Sequence, residues 1–168
     1  MTFVHAQNVR HRHLWPGVDL LKVGPTKWPP SEIVNQIAVT RRNPDAGHVH
    51  WSVSALMTNT ALVNALAAEV YRQPALIPAS PWLDLTSPPP PKLSVGTWKK
   101  SVHVAWRSSG GESPRGWVLQ SRQNGNWTTQ ILPASRADIY LDNVSPDAIC
   151  IRAVNRVGNL SAPTTWQK

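Results

Sequence analysis

GHVHWSVS, at residues 47–54, alternates apolar and polar side chains in the way of a half-buried β-strand. The alternation predicts an apolar face of Val49, Trp51 and Val53 and a polar face of His48, His50 and Ser52. Thr58-Asn59-Thr60 then predicts a helix N-terminus. The helix that follows, ALVNALAAEVY, carries an apolar stripe of Leu62, Leu66 and Val70. These residues together predict one β/α unit, with the apolar strand face against the helices and the polar face inward.

A second β/α unit is predicted ahead of the first. TFVHAQN, residues 2–8, is short and bounded like a buried strand, and a polar loop, RHRHLWPG, follows it. A helix is predicted over SEIVNQIAVTRR, residues 31–42. Two strand–loop–helix units in succession are typical of parallel α/β folds. A closed (β/α)₈ barrel needs about 250 residues, so these units predict only an incomplete barrel segment, its last two β/α units.

The composition changes in the middle of the chain. Residues 74–91, PALIPASPWLDLTSPPPP, are rich in proline and lack periodicity. Four consecutive prolines favour a semi-rigid polyproline II spacer. We therefore expect two domains, a barrel segment over 1–87 and a second domain over 88–168. Residues 1–87 are expected to be poorly stable alone, because lone β/α units leave strand edges unpaired, whereas 88–168 are expected to fold independently.

The second domain is predicted to be all-β. Seven short strands are expected, at LSVGTW, SVHVAWRS, GWVLQSRQ, TTQILPA, ADIYLDN, AICIRAVN and TTWQ. Asn124-Gly125 predicts a two-residue hairpin turn between the third and fourth of them. Seven short strands in about 80 residues are typical of a β-sandwich. The fold class predicted for the whole chain is α/β plus all-β.

Charge and cysteine content narrow the class of partners. The 168-residue chain has a net charge of +8, but its basic residues are scattered and no arginine-rich helix or zinc-ligand spacing occurs. No specific nucleic-acid recognition is expected, whereas an anionic cell-envelope surface remains compatible as a partner.

Cys150 is the only cysteine and is expected to be a small buried residue. Neither a signal peptide nor an 18-residue apolar stretch occurs, and the oligomeric state is not predicted.

The second half resembles a fibronectin type III module. Trp106 in VHVAW matches the strand-B core tryptophan of that family. Leu141 and AVNRVGNLSAP (Ala153, Asn155, Gly158, Ser161, Pro163) match its later strands and final turn. Asp147 stands where the family's tyrosine-corner Tyr is expected. The resemblance therefore implies a sandwich in which that tyrosine's hydrogen bond is lost or replaced.

The first half resembles the C-terminal end of the bacterial glycosyl-hydrolase-like-10 family. The matching motifs are Gln7-Asn8, HLWPG (13–17), WPPSEIVNQ (28–36), GHVHWS (47–52) and PALIPASPW (74–82). Members are TIM-barrel proteins, secreted or lipoproteins, linked to cell-wall glycan. The resemblance implies an extracytoplasmic parent protein and a polysaccharide or glycan-strand partner. It covers only about the last quarter of such a barrel.

Glycoside hydrolysis requires two carboxyl groups that flank the scissile bond. The carboxylates of the first half and the linker are Asp19, Glu32, Asp45, Glu69 and Asp84. Of these, Asp19 alone is predicted in a loop after a strand, where barrel active sites are built. Asp19 is a weak catalytic candidate, since a solvated loop carboxylate is the simpler explanation of it. The catalytic pair is expected on strands outside this chain.

The remaining polar and aromatic side chains predict a substrate-binding rim. Its candidates are the amides and imidazoles that can bond sugar hydroxyls, a serine, and an indole that can stack on a ring: Gln7, Asn8, His13, Trp15, His50 and Ser52. His48 and His50 have the spacing of some metal ligands, but no carboxylate or cysteine completes a set. Neither a metal nor any other cofactor is expected.

Two functions follow from the sequence. The first is the C-terminal portion of a glycoside-hydrolase-like protein that acts on polymeric, peptidoglycan-type glycan and is inactive as this fragment. The alternative is a non-enzymatic carbohydrate or cell-wall binding module. For the alternative, Trp98, Trp117, Trp127 and Trp166 are candidates for an aromatic strip on the sandwich.

Overall fold

The structure is a computed structural model that describes residues 6–43, 46–98 and 100–168, and of Trp98 it describes the backbone alone. The chain forms two compact units, Met1–Pro74 and Ala75–Lys168. The sequence predicts the domain boundary at 87/88, whereas the compact units meet at Pro74 and Ala75. The proline-rich stretch from Ala75 onward therefore belongs to the second compact unit. None of the described helices is long and apolar enough to cross a membrane.

The first unit contains two short parallel strands, β1 (Gly17–Asp19) and β2 (Val49–Trp51). A 3₁₀ turn, Leu20–Lys22, follows β1. Three helices, α1 (Pro30–Thr40), α2 (Val53–Thr58) and α3 (Thr60–Ala65), follow the strands, and a π turn, Leu66–Val70, extends α3. Both helical segments predicted from the sequence are therefore confirmed.

The predicted strand at 2–8 is wrong where the structure describes it. Ala6 and Gln7 have helical backbone, and residues 2–5 lie outside the described part of the chain. The strand that pairs with β2 is instead Gly17–Asp19, in the stretch predicted to be a turn and loop. The physical reason is burial, because Val18 and Leu20 are 3% and 0% exposed and pack among the helices.

One hydrophobic core holds the first unit together. Residues from β1, the 3₁₀ turn and the helices form it: Val18, Leu20, Ile33, Ile37, Ala55, Leu62, Leu66 and Val70. Asn59 begins α3 by accepting a hydrogen bond on its side chain from the Leu62 N–H at 3.0 Å, which confirms the predicted cap.

Two strands define neither the curvature nor the closure of a barrel. The predicted partial (β/α)₈ barrel is therefore not shown by the described elements.

The second unit is a β-sandwich of the seven strands predicted. They are β3 (Lys92–Trp98), β4 (Ser101–Arg107), β5 (Gly116–Gln123), β6 (Asn126–Pro133), β7 (Asp138–Asp142), β8 (Ala148–Val154) and β9 (Thr164–Gln167). One sheet has the order β3-β4-β7 and the other β6-β5-β8-β9, with every pair antiparallel. Asn124 and Gly125 have φ of 50° and 79°, so the predicted hairpin turn is confirmed.

The sandwich core confirms the role predicted for Trp106. Trp106 is 4% exposed and lies edge-to-face against Trp117, with ring centroids 6.3 Å apart. Around these two rings pack Val104, Leu119, Ile149, Ile151 and Ala153. Cys150 is a buried free thiol, as predicted, and burial raises its pKa.

Asp147, at the position of the missing tyrosine, contacts the β5–β6 hairpin. Its backbone N–H donates to the Arg122 carbonyl oxygen at 2.8 Å. Its carboxylate lies 3.3 Å from Arg122 Nε and accepts from the Asn124 N–H at 3.3 Å. A charged side chain thus ties the start of β8 to this hairpin.

Candidate functional site

The two parallel strands have one covered and one open face. The register pairs Val18 with His50, and both side chains point toward the helices. It pairs Asp19 with Trp51 on the opposite face, where Trp51 is 67% and Val49 47% exposed. Neighbouring strands lie about 4.8 Å apart, so Asp19 and Trp51 are adjacent on this open face.

The predicted orientation of β2 is therefore wrong. Period-2 alternation separates the two faces of a strand but does not say which face a helix covers. Here the histidine face meets the helical layer, because Tyr71, just after the π turn, supplies a polar partner for it. Trp51 was predicted to pack against the helices and instead lies on the open face.

His48, His50 and Tyr71 form a polar cluster on the covered side. The Tyr71 hydroxyl oxygen lies 2.6 Å from His48 Nε2 and 2.7 Å from His50 Nε2. One hydroxyl carries one proton, so it donates to one imidazole and accepts an N–H from the other. The imidazole that accepts the hydroxyl proton is neutral, whereas the one that donates its N–H can be neutral or protonated. His50, a predicted substrate contact, is thereby engaged with Tyr71 on the side of the helices.

The surroundings of the cluster favour its neutral state. Burial lowers the pKa of both His48 and His50, and the neighbouring Arg41 charge lowers that of His48 further. Burial raises the pKa of Tyr71. The Arg41 guanidinium lies 5.8 Å from the Tyr71 ring centre and donates to the Val70 carbonyl oxygen at 3.0 Å. Tyr71 and Arg41 were not foreseen from the sequence, since nothing local links them to β2.

Asp19, the catalytic candidate, lies on the open face and also contacts two groups of its own loop. Its carboxylate accepts a hydrogen bond from the Leu21 N–H at 3.0 Å and thereby caps the 3₁₀ turn. Its other oxygen lies 4.0 Å from Lys22 Nζ. Glu32 lies in α1, where it accepts a hydrogen bond from Gln36, and Glu69 lies in the π turn. Among the described carboxylates of this unit, only Asp19 lies on the open face.

Gln7 and Asn8 do not end a described strand. Gln7 is exposed in helical backbone. Asn8 closes a turn, since its Oδ1 accepts from the Arg12 N–H at 2.9 Å and its Nδ2 donates to the Arg12 carbonyl at 2.6 Å. The Asn8 amide is thus satisfied within its own loop.

His13 and Trp15 lie together in the loop before β1. Their rings are stacked, with centroids 6.1 Å apart and planes 10° from parallel. Trp15 is 53% exposed, and its indole lies over Gly47, where a Cβ atom would be only 2.9 Å from the ring. The loop therefore presents a half-exposed indole whose position depends on that glycine.

Ser52 immediately follows Trp51 at the carboxyl end of β2. Its hydroxyl lies 2.6 Å from that of Ser54, in the first turn of α2. The Trp51–Ser52 peptide bond is cis. Ser52 is thus the chain neighbour of Trp51, whereas His50 faces the helices, away from Trp51.

A cleft of about 400 Å³ lies beside the loop after β1. It is lined by Trp28, Lys27, the prolines that begin α1 and the start of α3. Lys22 Nζ lies 4.9 Å from the centre of the Trp28 ring. The ring and the lysines are a second place in this unit where a polar, ring-shaped ligand fits.

The predicted tryptophan strip of the sandwich is not formed by its described members. Trp117 is buried in the core at 4% exposure, and Trp166 packs against the same core. Trp127 is 51% exposed, with the Arg122 guanidinium 5.6 Å from its ring centre. The Trp98 side chain lies outside the described structure.

No metal centre is found in the described part of the chain. It contains no group of three histidine, cysteine or acidic side chains placed to hold an ion. Chemically, the open face offers an exposed indole and a carboxylate. Such a set can bind a sugar ring by stacking and hydrogen bonding, but one carboxylate is not the pair that hydrolysis requires.

No known protein-family profile matches the chain. Over 98 residues it is 35% identical to the glycosyl hydrolase YngK of Bacillus subtilis (strain 168), which corresponds to 55% of this chain and 19% of that protein. The chain thus spans about a fifth of the length of this relative.

Two solved structures are loosely similar to the chain. Fibronectin domains FN1–FN3 of chicken CNTN1 are 18% identical with a TM-score of 0.40, over 47% of this chain and 31% of that one. The Clostridium perfringens spore cortex lytic enzyme SleM is 15% identical with a TM-score of 0.42, over 92% and 67%. These superpositions are loose, and the sandwich assignment rests on strand order and register. The chain is therefore similar in sequence to part of a glycosyl hydrolase.

Proposed function

We propose that the chain is the C-terminal portion of an extracytoplasmic, glycoside-hydrolase-like protein that acts on polymeric cell-wall glycan of the peptidoglycan type. In this proposal the first unit supplies the last two β/α units of a barrel and part of its sugar-contacting face. One observation carries the proposal: Trp51 lies exposed beside Asp19 at the carboxyl ends of two parallel strands. The sequence similarity to a glycosyl hydrolase supports it.

Trp51 is the side chain to which we assign sugar contact. A flat indole offers its apolar face to the C–H groups of a pyranose, and sites at the carboxyl ends of parallel strands are the usual position for substrates. Asp19 stands beside the indole, and its carboxylate can accept hydrogen bonds from sugar hydroxyls. The indole gives affinity and its polar neighbour gives orientation.

Catalysis is not assigned to this chain by itself. Asp19 caps the 3₁₀ turn and has Lys22 beside it, so its carboxylate already has two partners within its own loop. With no second described carboxylate on the open face, the chain alone is expected to leave peptidoglycan intact. Release of reducing ends by the chain, abolished in Asp19→Asn, would contradict this assignment.

Binding tests the proposal directly. We expect calorimetric titration of the full chain with soluble peptidoglycan glycan strands to detect binding. We expect this binding to be lost in Trp51→Ala. Trp127→Ala is the matched control, because Trp127 is also about half exposed but lies on the sandwich. An isotherm that is unchanged in Trp51→Ala would overturn the proposal.

The second candidate function is a non-enzymatic carbohydrate or cell-wall binding protein. The exposed Tyr140 ring on the sandwich favours it, since this ring belongs to a unit with its own core. It predicts glycan or cell-envelope binding that persists in Trp51→Ala. An anionic envelope surface is a possible target because of the net charge of +8, and salt would then abolish the binding.

A further inference from the structure

Gly96 lies in the interior of β3, opposite His103 of β4. Glycine weakens a strand, so an interior glycine calls for a reason. Its φ is not in the left-handed region, and a Cβ added there would meet no described atom within 4 Å. Neither backbone conformation nor crowding by the described side chains therefore demands glycine. The continuous register excludes a bulge, and one of the reasons that remain for a strand glycine is the close approach of a ligand.

His103 forms one wall of the space above Gly96. In the register, Gly96 and Tyr140 flank His103 on either side. The imidazole stacks on the Tyr140 ring, with centroids 4.4 Å apart and planes 16° from parallel. Because one face of the imidazole is covered by Tyr140, its other face is turned toward Gly96. Asp138 fixes this ring, since its Oδ2 lies 3.0 Å from His103 Nε2.

Hydrogen-bonding groups surround the two rings. Ser101 and Asp142 are a cross-strand pair, and the Ser101 hydroxyl donates to Asp142 Oδ1 at 2.5 Å. Asp138 and Asp142 flank Tyr140 along β7, two residues away on each side, so all three share the outer face of the sheet. Two carboxylates disfavour an anionic ligand and offer acceptors to a ligand rich in hydroxyl groups.

We propose that the notch above Gly96 binds a neutral pyranose unit of a glycan strand. The sugar lies with its C–H face against the free face of the His103 ring, and its hydroxyls donate to Asp138 and Asp142. This site is on the sandwich and does not involve Trp51, so it does not depend on the function proposed for the first unit. It gives the second unit a glycan-binding role of its own.

Gly96→Val provides a clean test, because the space that a Cβ would occupy is open and β-branched residues favour strands. The variant fills the notch without disturbing the described fold. The full chain is titrated with chitotetraose and, separately, cellotetraose, while the Gly96 and Tyr140 backbone amide signals are followed by NMR. We expect these signals to shift in the unsubstituted protein, and binding to weaken about tenfold in Gly96→Val, which is the size of one ring contact.

Two further variants separate the possible outcomes. His103→Ala is expected to weaken binding similarly, while Trp127→Ala, on the other sheet, is expected to bind normally. Equal binding by a folded Gly96→Val protein, or no shift at Gly96 with either sugar, would overturn the proposal. Shifts at Trp51 without shifts at Gly96 would do the same, and would leave the function proposed for the first unit standing.

Discussion

Asn155 joins the proline-rich segment to the sandwich, since its side-chain amide donates a hydrogen bond to the Thr86 carbonyl oxygen at 2.9 Å. Asn159 Nδ2 reinforces this link by donating to the carbonyls of Asp84 and Thr86. Both asparagines are buried, at 5% and 9% exposure. Residues 84–86 are therefore held by the second unit rather than forming a free spacer.

Replacing Asn155 is expected to destabilise the second unit strongly. Its Oδ1 accepts hydrogen bonds from the N–H groups of Val157 and Asn159, so Asn155→Ala leaves several buried polar groups without partners. We expect the free energy of unfolding to fall by about 2–4 kcal/mol. Urea denaturation measures this, with the exposed Asn126→Ala as control. A loss below about 0.5 kcal/mol would contradict the role assigned to Asn155.

The start of the second unit can be tested by truncation. A chain that begins at Ala75 keeps the partners of Asn155 and Asn159, and also the hydrogen bond from the Ser80 N–H to the Val157 carbonyl. A chain that begins at Pro88 loses the hydrogen bonds to Ser80, Asp84 and Thr86, whereas Asn155 keeps those from the N–H groups of Val157 and Asn159. We expect the shorter chain to be less stable by about 1–3 kcal/mol in urea. Equal stability would favour the boundary at 87/88.

Acid is expected to destabilise the first unit through His48 and His50. Their pKa values are lowered in the folded state, so the unfolded chain takes up protons more readily. The cluster's stabilisation is thus complete above the unfolded pKa of about 6.5 and is lost as the pH falls through the lower, folded values. Chemical unfolding at pH 8 and pH 5 measures it. A His48→Gln, His50→Gln double variant should show a weaker dependence, and an identical dependence would contradict the account.

The cap of α3 predicts a smaller effect. Asn59→Ala removes the acceptor for the Leu62 N–H and is expected to cost about 1 kcal/mol of the unfolding free energy of the first unit. Asn59→Asp keeps an acceptor oxygen and should be close to neutral. The pair is compared by urea denaturation monitored by circular dichroism. Equal losses in both variants would show that the helix does not depend on this hydrogen bond.

The sandwich was predictable because its signals are local. Each strand is short, and Asn124-Gly125 marks its own hairpin by favouring positive φ at both positions. Trp106 could be placed in the core from its match to the strand-B tryptophan of fibronectin type III modules. The replacement of the corner tyrosine by Asp147 was visible as a departure, but its partners, Arg122 and Asn124, come from another strand and its turn.

The first unit was harder to predict, for two physical reasons. β1 has only three residues, of which Val18 alone is buried, so it lacks a readable alternation. In β2 the alternation was evident, but which face of the strand turns toward the helices depended on Tyr71, which lies more than 20 residues away. A long-range hydroxyl partner turned the histidines toward the helices and left Trp51 exposed. No local signal distinguishes the two orientations.

The central claim is that Trp51 on the open face contacts glycan, and the Trp51 indole N–H signal tests it most directly. The chain has nine tryptophans, and the Trp51 signal is identified by its disappearance from the two-dimensional NMR spectrum of Trp51→Phe. We predict that this signal shifts on titration with soluble peptidoglycan glycan strands, while that of Trp127 does not. A Trp51 signal that stays in place while the added glycan binds elsewhere would contradict the account.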